Sequence, residues 1–157
     1  MPACRAKYRS LVTALGLLCA AMPVRADEPV SFRNDVMAVL SRAGCNQGTC
    51  HGNANGKGGL KISLRGDDPQ GDFLVLTHGE LGRRVNVADA DASLLLLKPT
   101  MQVPHLGGRR FEVDSPEYRI LREWIAGGLQ FDPDDAPTLA RLDVAPASAT
   151  VSISESV

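Results

Sequence analysis

The first run of periodic apolar positions lies at Phe32, Val36, Val39, Leu40 and Ala43. These positions share one face at helical spacing. Ser31 stands where an N-cap belongs and Gly44 ends the pattern, so a helix is predicted from Phe32 to just before Cys45. Leu60, Ile62 and Leu64 alternate with polar residues, which predicts a short extended segment, and Asp68-Pro69 then marks a turn. A short helix is expected over 72–78, ended by Gly79. Another of one to two turns is expected over 94–97, stopped by Pro99. Tyr118, Leu121, Trp124 and Ile125 form the apolar face of a last helix. Asp114 or Ser115 caps that helix, and Pro116 suits its first turn. Glu117, three residues after Asp114, completes a capping box, and Gly127-Gly128 closes the helix. Between these elements, residues 51–59 and 99–110 are irregular loops rich in Gly and Pro. The pattern is that of a mostly α domain with long loops.

Both ends of the chain read differently. Arg5, Lys7 and Arg9 precede an apolar stretch, Leu11 to Met22, that is short for a membrane span, and Val24-Arg25-Ala26 has the form of a cleavage site. Residues 1–26 are therefore expected to be a signal peptide, with no membrane span after its removal and a periplasmic or otherwise extracytoplasmic destination. Residues 27–131 would form the domain, and 132–140 an acidic, proline-containing linker. At 141–157, Leu142, Val144, Val151 and Ile153 begin a β-like pattern too short to close a sheet. Of 17 basic residues, four leave with the signal, against none of the 18 acidic ones, so the mature net charge is −5. No basic stripe survives, and nucleic acid is not an expected partner. Six aromatic residues remain, at 32, 73, 111, 118, 124 and 131, which makes for a modest core.

Candidate chemistry is concentrated in Cys45-Asn-Gln-Gly-Thr-Cys50-His51. A cysteine pair followed at once by histidine, in an exported chain, is the attachment pattern of covalent haem c. The thiols add to the two haem vinyl groups and the adjacent His51 becomes the proximal axial ligand. The usual spacing has two residues between the cysteines; here there are four. Two other uses of these residues stay open. One is a short-range Cys45–Cys50 disulfide, which suits an oxidising compartment. The other is a zinc site drawing on Cys45, Cys50, His51 and His105. For a sixth iron ligand the irregular segment before the last helix offers Met101 and His105. Pro104 and Gly107-Gly108 make the setting of His105 rigid and allow close backbone approach. Lys98, Arg109 and Arg110 are candidates to face haem propionates, whereas His78, at a helix end, reads as a surface residue. Trp124 and Tyr118 read as core residues.

Several features occur together: a helix, then Cys-x4-Cys-His, then Gly58-Gly59-Leu60 and Ser93-Leu94-Leu95. They are followed by Pro104-His105-Leu106-Gly107-Gly108 and a closing helix with Glu117-Tyr118, Leu121, Trp124-Ile125 and Gly128. From about Pro29 to about Gly128 the chain resembles the planctomycete-type cytochrome c domain, in the variety with four residues between the cysteines. The resemblance implies a cytochrome-c-like fold in which first and last helices cross, with one covalent haem c on Cys45, Cys50 and His51. Such domains sit near the amino terminus of large exported proteins, with immunoglobulin-like modules often following, and the tail at 141–157 is similar to the start of one. In ordinary relatives the distal ligand is a Met followed by Pro, about 18 residues before the Trp of the last helix; here His105 lies 19 residues before Trp124 and Met101 lies 23, so the spacing favours His105.

The leading expectation is a monohaem electron-transfer domain serving a redox partner protein or domain. With both axial positions of the iron filled, it is not itself an enzyme. A haem-free, disulfide-closed interaction module of a larger exported protein is the alternative. A haem enzyme or gas sensor is a third reading, open only if neither Met101 nor His105 binds the iron.

Overall fold

The computed structural model describes residues 28–146 except 139, together with 148 and 150. The signal peptide expected over 1–26 and the apolar positions Val151 and Ile153 lie outside the described residues. Among the described residues the molecule is helical, with no strand and one isolated bridge between Lys57 and Leu60. No helix in this part is long and apolar enough to cross a membrane.

The first helix opens as a π-helical turn, Phe32–Val36, and continues as α1, Met37–Arg42. Ser31 caps it as predicted, its hydroxyl accepting the Asn34 amide at 2.9 Å. Gly44, at φ 74°, turns the chain out of the helix. Helix α2 spans Pro69–Thr77, α3 spans Leu94–Leu97 and α4 spans Pro116–Ala126. The start of α2 differs from the sequence expectation. Asp68-Pro69 is the helix N-terminus rather than a separate turn: the Asp68 carboxylate accepts the Gly71 amide at 2.9 Å, and Pro69 has the φ of a first helical residue. For α4 the cap is Ser115, whose hydroxyl accepts the Tyr118 amide at 3.2 Å. Asp114 lies outside the helix at φ 66°, so it does not form the capping box with Glu117. The alternation at 60–64 produces no strand because its backbone bonds, one bridge of Leu60 to Lys57 and one bond from Ile62 N to His51 O at 3.0 Å, do not continue into a ladder. Ile62 is buried, while Leu64 is half exposed on a 3-10 turn, Leu64–Gly66. Leu142 and Val144 are likewise exposed, and residues 141–146 form no ladder.

Helix α4 packs against both the first helix and α3. Phe32 and Trp124 meet with ring centres 5.2 Å apart, and Phe73 and Phe131 complete the cluster at 5.3 Å from Phe32 and 5.1 Å from Phe73, respectively. Trp124 and Tyr118 are core residues, as predicted. Their polar ends are satisfied: Trp124 Nε1 donates to the Gln130 carbonyl at 2.9 Å, and Tyr118 Oη to Asp91 at 2.6 Å. Four of the six aromatics thus gather at one end of the core. Leu40, Leu76, Leu95 and Leu121 extend it toward the Cys-His segment, where it stops at a cavity.

Candidate functional site

The chain leaves α1 through the turn at Gly44 and folds Cys45-x4-Cys50-His51 back on itself. The Cys45 amide is still bonded to the helix at Leu40 O, 2.8 Å, and the His51 amide reaches back to Cys45 O at 2.9 Å. The extra residues between the cysteines are taken up by a turn in which Gln47 O accepts the amides of Cys50 and Gly52, at 2.9 and 3.0 Å. Buried Asn46 locks this turn, its Nδ2 donating to Ser41 Oγ at 2.8 Å. Gly52 packs so tightly on the Asn46 carbonyl that a side chain there would collide with it.

Cys45, Cys50, His51 and His105 all line one cavity of about 210 Å³. That exceeds the ~150 Å³ void that takes up benzene, so it is large enough to admit an apolar group. Leu40, Ile62, Leu76, Leu95, Phe111 and Leu121 supply its apolar walls. Lys57, Arg83, Arg84, Lys98 and Arg110 stand around it, and no Asp or Glu lines it among the described residues.

The two thiols are free, so the disulfide is not formed in this structure. Burial pushes the Cys45 thiol up to about 11, against the opposing field of Arg110, and this thiol is protonated at neutral pH. Arg110 Nη2 donates to Cys50 Sγ at 3.3 Å. No group of three or more His, Cys, Asp and Glu side chains among the described residues is arranged to hold a metal ion, which leaves the four-ligand zinc reading without geometric support.

Each histidine is anchored through Nδ1. His51 Nδ1 lies 3.0 Å from Lys57 O and 3.1 Å from Leu60 O, and His105 Nδ1 lies 2.9 Å from Gly108 O. A carbonyl only accepts, so Nδ1 carries a proton in both rings, and Nε2 is the nitrogen whose lone pair the neutral ring leaves free. Burial holds the His51 pKa below its ordinary value, opposed by its two carbonyl bonds. The ring centres of His51 and His105 are 6.4 Å apart and their planes are within 11° of parallel. Gly107 makes room for this, since a Cβ there would stand 2.8 Å from His105 Cε1.

No family model, curated protein or solved structure matches the chain. Its chemistry is therefore read from its own residues.

The structure sorts the remaining candidates. Met101 is exposed, at φ 61°, and does not line the cavity, whereas His105 does. Lys98 and Arg110 line it as expected, but Arg109 points away and pairs with Glu112 at 2.9 Å. His78 is exposed, as predicted. Lys57, Arg83 and Arg84 are cavity residues that the sequence reasoning missed. The consecutive arginines after Gly82 were a visible but unspecific signal, because basic pairs are ordinarily solvated.

Proposed function

We propose that this chain is an exported monohaem c-type cytochrome domain that carries single electrons. The observation that carries the reading is one cavity walled by two free thiols, two Nδ1-anchored imidazoles and apolar side chains, with a cationic surround.

The donor set fits a haem. His51 and His105, with ring centres 6.4 Å apart on the wall of one cavity, are the residues that would hold the iron. In both rings the carbonyl bonded to Nδ1 fixes the proton there and leaves Nε2 as the ring nitrogen that would bind a metal. Cys45 and Cys50 would form thioethers by adding S–H across each vinyl group, sulfur to one carbon and hydrogen to the other, with no net oxidation. Bound haem supplies a one-electron ferric/ferrous couple. Around it the apolar walls would exclude water, and with His51 and His105 both holding the iron no site would be left for substrate, so the domain would act as a carrier rather than an enzyme. The motif resemblance to the planctomycete-type cytochrome c domain supports the same reading. The redox partner is then a protein or a further domain of the same polypeptide, with 141–157 as the first part of an immunoglobulin-like module, and the setting is extracytoplasmic.

Co-expression with a cytochrome c maturation system, followed by acid–acetone extraction and intact mass measurement, tests this. A polypeptide heavier by one haem is expected. An unmodified, colourless polypeptide would overturn the proposal and leave the interaction module standing.

A further inference from the structure

Arg84 is a buried cation without a matching anion. It is 8% exposed, and among the described residues it forms no ion pair. Glu80 exerts an attractive field on it but forms no ion pair with it. Instead its guanidinium is held by two carbonyls, Nη2 donating to Gly59 O at 2.8 Å and Nη1 to Val75 O at 3.2 Å. Its position is built: a Cβ on Gly79 would stand 2.7 Å from Nη1, so bare backbone opens the slot in which the guanidinium lies. A buried charge left uncompensated is costly, and the guanidinium fork has N–H groups remaining that suit a carboxylate. Arg84 also lines the cavity, beside Arg83 and Lys57.

The carbonyl that Arg84 holds belongs to the turn that holds His51. Gly59 lies between Lys57 and Leu60, whose carbonyl oxygens accept the His51 Nδ1 proton. Lys57 O also accepts the Leu60 amide at 3.2 Å, so the three residues form one tight unit.

Resting on the haem reading above, we propose that Arg84 is both the carboxylate anchor of this cavity and the positioning residue for His51. Its guanidinium takes a carboxylate of the bound haem while pinning the 57–60 turn that orients the imidazole. A paired carboxylate stays ionised throughout the neutral range. Without its cation, the desolvated carboxylate takes up a proton nearer neutrality. Its uncompensated charge also favours ferric over ferrous iron.

The test is redox titration of the holoprotein at several pH values around neutrality, for the wild-type chain, Arg84→Gln and Arg84→Lys. Wild type should show a nearly pH-independent potential. Arg84→Gln should show a lower one that rises as pH falls. Arg84→Lys, which keeps the cation, should restore most of the flat profile. Holoprotein from Arg84→Gln with the wild-type potential and slope would overturn this role while leaving the haem reading intact. If Arg84→Gln yields no holoprotein, Arg84→Lys decides: attachment with a flat profile supports the role, and failure to attach haem overturns it. A wild-type chain without haem is the separate outcome in which the haem reading fails and takes this role with it.

Discussion

His51 and His105 share an Nδ1 anchoring pattern but differ in what fixes them. His51 follows Cys50 directly and is held by the carbonyls of Lys57 and Leu60, whereas His105 depends on Gly108 O and on the absence of a side chain at Gly107. In the holoprotein, His105→Ala should therefore give a high-spin iron that binds carbon monoxide, and Gly107→Ala should do the same in part by displacing the ring. Met101→Ala should leave the absorption spectrum unchanged, because that side chain is exposed and outside the cavity. Carbon monoxide titration followed by visible absorption separates the three variants. The haem-free chain gives a second test. Burial lowers the His51 pKa from 6.5 in the folded state, so the unfolded chain binds the extra proton first. The corresponding stability is fully present above about 6.5 and is lost as pH falls from there through the depressed folded value. Urea unfolding of the apo chain should show a midpoint that drops across that window, and His51→Gln should flatten the drop.

At the level of elements, local capping explains where α4 begins. Ser115 accepts the Tyr118 amide, and Pro116 follows as first helical residue, while Asp114 sits in left-handed backbone and contributes no cap. Ser115→Ala should cost about 1 kcal/mol, and Asp114→Ala should cost nothing through capping, with any loss coming from its backbone conformation. Chemical denaturation of the two single variants distinguishes these roles, and equal costs traced to lost helix initiation would contradict them. Helix α4 is also tied to the turn Ala90–Ala92 by Asp91, which accepts from Tyr118 Oη and from Arg122 Nε at 2.9 Å. Burial and the neighbouring Asp91 push the Tyr118 hydroxyl up to about 12, so this link persists throughout the neutral range. Through Leu121, which lies in the core and on the cavity wall, the helix transmits its position to the site.

Across the whole molecule, the aromatic cluster and the cavity divide the interior. Phe32, Phe73, Trp124 and Phe131 fill one end, and the other is a void edged by cations. A ligand bound only by the folded chain adds directly to its stability, and filling a void of this size restores the packing contacts its walls lack. Replacing Cys45 and Cys50 together by Ser should therefore yield a folded but less stable and more protease-sensitive product. A thermal midpoint in that double variant equal to that of the wild-type holoprotein would contradict stabilisation by haem.

Much of this was written locally in the chain. The Ser31 cap, the four-residue helix before Pro99 and the Gly127-Gly128 stop depend on neighbours in sequence, and each appears where the pattern puts it. So does the adjacency of His51 to Cys50, which no folding can alter. Asp68-Pro69 was ambiguous for a physical reason, since the same dipeptide starts turns and helices alike and only the residues after it decide. The alternation at Leu60, Ile62 and Leu64 carries the period of a strand, but a strand needs a ladder, and among the described residues its pairing stops at the single Lys57–Leu60 bridge. What only the tertiary structure decided is long-range: that His105, 54 residues beyond His51, comes within 6.4 Å of it, that Met101 faces outward, and that Arg84 reaches back to Gly59. These follow from packing α4 against both the first helix and α3, and no local propensity encodes such a meeting of distant side chains.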